Sequence, residues 1–161
     1  MARLENQEFA ELVEKHKDEM YYLALSILKN EVDAQDAVSE TVVRAYEARS
    51  RLRKLEKFKP WIMQILVNVS KTLLRKREKI VLTEDAETIN QVESAPKYDM
   101  WGWVMELEYE FRTVIILYYY EGFSTKEIAK ILNIPEGTVR SRLARARNKL
   151  KIFMEAKSEK C

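Results

Sequence analysis

"FSTKEIAKILNIPEGTVRSRLARARNKL" spans residues 123–150. Ser124 and Glu127 have the S-x-x-E spacing of a capping box, which satisfies free amide donors at a helix start. Ile128, Ala129, Ile131 and Leu132 then give that helix one apolar face. Asn133-Ile134-Pro135 ends it, and Pro135 is placed to open the next helix. The small Ala129 permits two helices to cross closely. The stretch predicts two short helices joined by a tight turn.

Rotating the second helix at about 100° per residue sorts its side chains. Val139, Leu143, Ala146 and Leu150 fall within about 60° of one another, which predicts a buried seam. Opposite lie Thr138, Ser141, Ala144, Arg145 and Asn148. Arg140 and Arg147 flank one side of that face, Arg142 and Lys149 the other. No acidic residue occurs between Thr138 and Phe153, whereas an ordinary solvated helix interleaves Glu for i, i+4 pairs. Two helices joined this way resemble a helix-turn-helix. Edge cations suit the phosphate walls of a major groove, and short central side chains let the helix approach base edges. Arg145 is long enough to reach guanine bidentately. Arg140, at the helix start, suits a base or a phosphate.

The rest of the chain agrees with a helical fold. Of 161 residues only 3 are Gly and 3 Pro, which favours long helices over a turn-rich β fold, and 47% are hydrophobic, enough for a core. The net charge of +2 hides a block pattern. Residues 1–43 hold 4 basic and 10 acidic side chains, residues 44–79 hold 12 and 3, residues 80–110 hold 1 and 8, and residues 111–161 hold 11 and 5. Two basic blocks separated by an acidic one suggest two sites on a polyanion, since screening over about 8–10 Å keeps each field local. The lone cysteine, Cys161, excludes an internal disulfide framework. No apolar run approaches the roughly 20 residues of a membrane span, and "MARLENQEFAE" is no signal peptide. A soluble, cytoplasmic protein with no membrane insertion is expected.

Periodicity predicts the remaining elements. Phe9, Leu12, Val13, His16, Tyr21, Leu25 and Leu28 mark a first amphipathic helix. Asn30 is suited to cap a second, with Val38, Val42 and Ala45 on one side. After the basic segment "RSRLRKLEKFK", Pro60 suits the first turn of a third helix whose stripe is Ile62, Ile65, Leu66, Val69 and Leu73. Residues 79–98 lose periodicity and read as a flexible acidic linker. The expected architecture is all-α: two small helical domains, residues 1–78 and 99–161, on a tether.

The third helix has a second face, on which Trp61, Gln64, Asn68, Lys71, Thr72 and Arg75 share one arc. An aromatic with amide and cationic groups beside a basic loop resembles a platform for unstacked bases, where stacking contributes about 1–3 kcal/mol per base. Packing of Trp61 in the core is the competing reading.

Here the motifs resemble a known family. "FKPWIMQILVN" (58–68) followed by Arg75 is similar to the F-x-x-W-(L/I)-x-x-I-x-x-N signature of the small two-domain bacterial sigma factors, the extracytoplasmic-function group of the sigma-70 family. "DAQDAVSETVVRAY" (33–46) resembles the D-A-x-D-x-x-Q-(E/D) helix before it, and residues 123–151 resemble the family's promoter-binding motif. The resemblance implies that the N-terminal (region 2) domain binds the clamp helices of the largest polymerase subunit through Asp33, Asp36, Glu40 and Arg44. For Asp33 and Asp36, favourable electrostatics at a helix start is a second role. It implies capture and melting of the minus-ten element by Arg53, Lys54, Lys57, Phe58, Lys59, Trp61, Asn68, Lys71 and Arg75. Reading of the minus-thirty-five element falls to Thr138, Arg140, Ser141, Arg142, Ala144, Arg145 and Asn148 in the C-terminal (region 4) domain. The partners implied are core RNA polymerase, including the flap of its second-largest subunit, promoter DNA and an anti-sigma factor. No cofactor or metal is implied. Three positions depart from the pattern: Ser39 stands for Gln, Thr72 for Asp, and Glu108 for a Pro after Leu107. The last predicts a continuous helix at the start of the C-terminal domain.

Two rivals remain at this level. A helix-turn-helix regulator that never joins polymerase explains residues 122–151 but leaves the Trp61–Arg75 face and the Asp33–Glu40 helix unassigned. A nucleic-acid enzyme lacks a catalytic constellation: one His (His16, on an apolar face), a terminal Cys161, and no phosphate-binding glycine loop. Its remaining resource is Mg²⁺ held by Asp33, Asp36 and Glu40.

Overall fold

The computed structural model describes residues 4–83 and 100–158, which are helical without a strand. The chain divides into two compact units, residues 1–92 and 93–161. Most of the expected linker, residues 84–98, lies outside the described residues, as do residue 99 and Cys161.

In the first unit, α1 (Asn6–Leu28), α2 (Glu31–Glu47) and α3 (Phe58–Thr83) each pack on both others. Residues 23–28 of α1, "LALSIL", are all buried in the helix that packs on both α2 and α3. Ser26 within that run satisfies its hydroxyl by donating to the Leu23 carbonyl at 2.6 Å. Lys29 turns into the left-handed region at φ 52°, closing its N–H onto the Leu25 carbonyl. Asn30 then caps α2 as expected, accepting from the Asp33 amide at 2.9 Å. Such a cap contributes about 1 kcal/mol.

The inner side of α2 differs from expectation. Its buried residues are Asp33, Ala34, Ala37, Thr41 and Ala45, while Val38 and Val42 are half-buried. A seam of small residues brings the helix close to its neighbours, and Thr41 satisfies its hydroxyl on the Ala37 carbonyl at 2.7 Å. Helix α3 carries Pro60 in its first turn and buries Ile62, Met63, Leu66, Val67 and Val69; Ile65 and Leu73 are half-buried. It runs to Thr83, so the first five residues of the expected linker are helical.

The second unit contains α4 (Met100–Glu106), α5 (Tyr109–Ile115), a π-helical turn (Ile116–Tyr120), α6 (Thr125–Leu132) and α7 (Glu136–Ser158). The continuous helix expected at its start is broken between Leu107 and Glu108. Arg112, itself buried, donates from Nη1 to the Leu107 carbonyl at 2.7 Å and satisfies that acceptor where the helix stops. Burial pushes the Arg112 guanidinium down to about 10, so it stays charged at neutral pH. After the π turn, Gly122 at φ 77° reverses the chain into α6, a conformation that an L side chain adopts only with strain.

Candidate nucleic-acid interface

The capping box at the start of α6 is complete. The Glu127 amide donates to Ser124 Oγ, and the Ser124 amide to Glu127 Oε1, both at 3.1 Å. Asn133 ends α6 at φ 56°, and Pro135 occupies the cap position of α7, its carbonyl accepting from the Thr138 and Val139 amides. The predicted seam is buried throughout: Val139, Leu143, Ala146 and Leu150 are at most 8% exposed. With that seam held against the unit's core, Ser141, Ala144, Arg145 and Asn148 face solvent and Thr138 is half-buried beside them.

The flanking cations fall into two groups. Arg140 donates to Glu136 Oε1 at 2.8 Å, and Glu136 also accepts from Thr125 Oγ1 at 2.9 Å, tying the starts of α6 and α7 together. This exposed pair contributes about 0.3–0.5 kcal/mol, so a phosphate displaces Glu136 at small cost. Arg147 donates from Nε to the Tyr119 hydroxyl at 2.6 Å, with its guanidinium 5.6 and 5.7 Å from the Tyr119 and Tyr118 rings. Lys149 lies 3.5 Å from Glu108. Arg142 and Arg145 pair with none of the described residues. The Glu136–Arg140 pairing is visible in its i, i+4 spacing, though sequence reasoning missed it. Tyr119 stands 28 positions from Arg147, and no local signal marks it.

On the first unit, the base-stacking arc of α3 is buried at none of its six positions. Trp61 is half-buried, while Asn68 and Arg75 are exposed and Lys71 is half-buried along the same helix. Arg53, Lys54 and Lys57 are exposed in the preceding basic loop, which closes with a short 3-10 turn at Leu55–Lys57. Phe58 is a correction. It is 1% exposed, its ring enclosed by Phe9, His16 and Trp61 at centroid distances of 6.1, 6.0 and 5.9 Å, so it offers no face to a base. Lys59 is half-buried, and its ammonium forms an ion pair with Glu19 Oε2 at 2.6 Å. Burial lowers the His16 imidazole below its ordinary 6.5; Glu19 opposes this and Lys59 reinforces it.

The acidic helix requires a second correction. Asp33 is turned inward. Its carboxylate is buried and is held in a two-point ion pair by Arg77 of α3, with Arg77 Nη2 donating to Oδ1 at 2.9 Å. Asp36, Glu40 and Arg44 do face solvent, and Arg44 donates to Glu40 Oε1 at 2.9 Å. Two valines that sequence reasoning overlooked, Val32 and Val43, are 60% and 52% exposed on the same side. The outer face of α2 is therefore apolar and acidic together. Because Asp33 is turned inward, the three carboxylates do not converge on a cation. Among the described residues no cluster of three or more metal-binding side chains occurs, and no helix is long and apolar enough to cross a membrane.

Comparison with known proteins accounts for both units. The family model for sigma-70 region 2 matches residues 12–80, and that for sigma-70 region 4 matches residues 104–150. RNA polymerase sigma factor SigV of Bacillus subtilis is 35% identical over 142 residues, 85% of either chain. The ECF RNA polymerase sigma factor SigW of the same organism is 30% identical over 166 residues, covering 89% of this chain and 87% of that one. Among solved structures, sigma factor RpoE from Bartonella quintana, in complex with the anti-sigma factor NepR, superposes with a TM-score of 0.80 at 26% identity. It covers 92% of this chain and 98% of its own. CnrH, in complex with the cytosolic domain of CnrY, gives 0.70 at 26% identity, covering 94% and 90%. The chain belongs to the extracytoplasmic-function group of RNA polymerase sigma factors.

Proposed function

We propose that the two units divide promoter recognition between them. Residues 1–78 bind core polymerase and capture the melted minus-ten element, residues 79–98 act as a tether, and residues 99–161 read the minus-thirty-five element. The observation that carries this reading is the outer face of α7. Ser141, Ala144, Arg145 and Asn148 are exposed opposite a buried seam, and Arg142 and Arg145 have no partner among the described residues. A cation without a protein partner exchanges only water for a phosphate or a guanine edge, so those two residues supply the strongest contacts. Thr138 and Arg140 add contacts at the helix start.

In the first unit, Trp61, Asn68, Lys71 and Arg75, with Arg53, Lys54 and Lys57 of the loop, form the minus-ten face. Asp36, Glu40 and Arg44, between Val32 and Val43, form the polymerase-docking face. The apolar and acidic composition of that face suits a partner helix surface carrying both aliphatic and basic groups. The chain acts as a cytoplasmic, non-enzymatic initiation factor with no cofactor. Because RpoE and CnrH were solved bound to NepR and CnrY, an anti-sigma partner is part of the reading, as is the flap of the second-largest polymerase subunit. Stoichiometric co-purification with core RNA polymerase tests it, with Asp36→Ala/Glu40→Ala reducing association. A folded chain that binds duplex DNA and never associates with the polymerase would instead be a helix-turn-helix regulator.

A further inference from the structure

Sequence motifs place Trp61 on the melting face but say nothing of what fixes its ring. The first turn of α3 begins with no acidic residue and carries Lys59, a cation at the positive end of the helix dipole. That arrangement is unfavourable unless a carboxylate approaches, and Glu19 of α1 supplies one at 2.6 Å from the ammonium. One turn earlier on α1, His16 stacks on the Phe58 ring at 6.0 Å with an interplanar angle of 28°, and Phe58 in turn abuts Trp61 at 5.9 Å. The imidazole Nδ1 lies 3.6 Å from Glu19 Oε2, so the two α1 residues meet the first turn of α3 side by side.

We infer that His16 and Glu19 are positioning residues for promoter melting, holding the first turn of α3 so that Trp61 presents a fixed ring to an extruded base. Base capture must offset the few kcal/mol of unstacking, and an aromatic contributes its full stacking only if its plane is already set. The Glu19–Lys59 pair fixes the backbone of that turn, and the His16–Phe58 stack fixes the ring beneath Trp61. Lys59 acts in this arrangement through Glu19 and not through DNA. The inference rests on the sigma-factor reading of the first unit.

The test uses the full chain with core RNA polymerase on a promoter duplex carrying 2-aminopurine in the non-template minus-ten strand. Fluorescence reports opening, while core binding and duplex binding at the minus-thirty-five element are measured separately. Glu19→Gln and Lys59→Gln are each expected to lower the open fraction on the order of tenfold, and the double variant no further, as groups acting as a unit are non-additive. Core binding and upstream duplex binding stay within about twofold of the unaltered chain. His16→Phe, which keeps a ring against Phe58, retains opening, and His16→Ala loses it; this pair decides the matter if Glu19→Gln reduces helical content. Opening unchanged in Glu19→Gln, or losses that add in the double variant, would overturn the inference and make Lys59 a direct DNA contact. Failure of the unaltered chain to open any promoter while bound to core enzyme would instead remove the sigma-factor reading, and the inference with it.

Discussion

Asp33 separates a structural role from a docking role, and its substitution gives a measurable answer. The Asp33 side chain is 8% exposed and that of Arg77 is 37% exposed. Breaking a fully buried ion pair costs about 3–5 kcal/mol, whereas an exposed pair contributes about 0–1 kcal/mol. Arg77 stays accessible enough for water to solvate the freed guanidinium, so Asp33→Asn is expected to cost about 2 kcal/mol, between those limits. The Asn30 cap survives, because it uses the Asp33 backbone amide. For a unit of this size the loss corresponds to a fall in Tm of about 8–16 °C. Urea and thermal unfolding followed by far-UV circular dichroism measure it, and adding Arg77→Met restores part of the loss by removing the stranded cation. Affinity for core polymerase, measured by fluorescence anisotropy at a temperature where both proteins are folded, is expected to stay within about twofold, against a marked loss for Asp36→Ala/Glu40→Ala. If Asp33→Asn leaves stability within about 0.5 kcal/mol while weakening polymerase binding tenfold, the internal ion pair is not its role.

Arg145→Ala is expected to cost about 1–3 kcal/mol at the upstream element and to relax base preference at one position, read by binding to a set of single-base variants; a uniform loss across all variants makes it a phosphate anchor. Arg142→Ala should weaken all sequences alike and reduce the salt slope of log K by about one contact's worth. Trp61→Ala should harm open-complex formation while sparing duplex binding by the second unit, with permanganate reactivity as the readout, and equal losses in both assays would contradict the division of labour. The unfolded chain protonates His16 near the ordinary 6.5, before the folded chain does, since burial lowers the folded value. Its contribution to stability is therefore complete above that pH and is lost as the pH falls toward the folded value. Urea titrations between about pH 7.5 and 5.5 should show a shallower decline for His16→Phe than for the unaltered chain, and parallel declines would refute the assignment.

Local rules carried the second unit furthest. The capping box, the Asn133–Pro135 turn and the four-residue seam of α7 depend on spacings of three and four, and all are present in the fold. They failed where an interaction spans distant parts of the chain. Asp33 and Arg77 are 44 positions apart, and nothing around either residue announces the partner. The break between α4 and α5 contains neither Pro nor Gly; it is bridged by the Arg112 side chain reaching back to the Leu107 carbonyl, a link no local pattern marks. On α2, larger Val38 and Val42 outweighed Ala34, Ala37 and Thr41 in the periodicity, although close helix packing favours small residues at the seam. At Phe58, the family resemblance set the ring beside Trp61 on the melting face, but the first is enclosed by its neighbours and only the second reaches the surface.

The most direct measurement is run-off transcription with purified core RNA polymerase on fragmented genomic DNA, with and without the chain, followed by mapping of transcript 5′ ends. The account predicts a discrete set of start sites that appear only with the chain. They should share one upstream and one minus-ten sequence, and be lost when Arg142 and Arg145 are both replaced by Ala. A folded chain that binds core enzyme yet leaves the start-site distribution unchanged would contradict it.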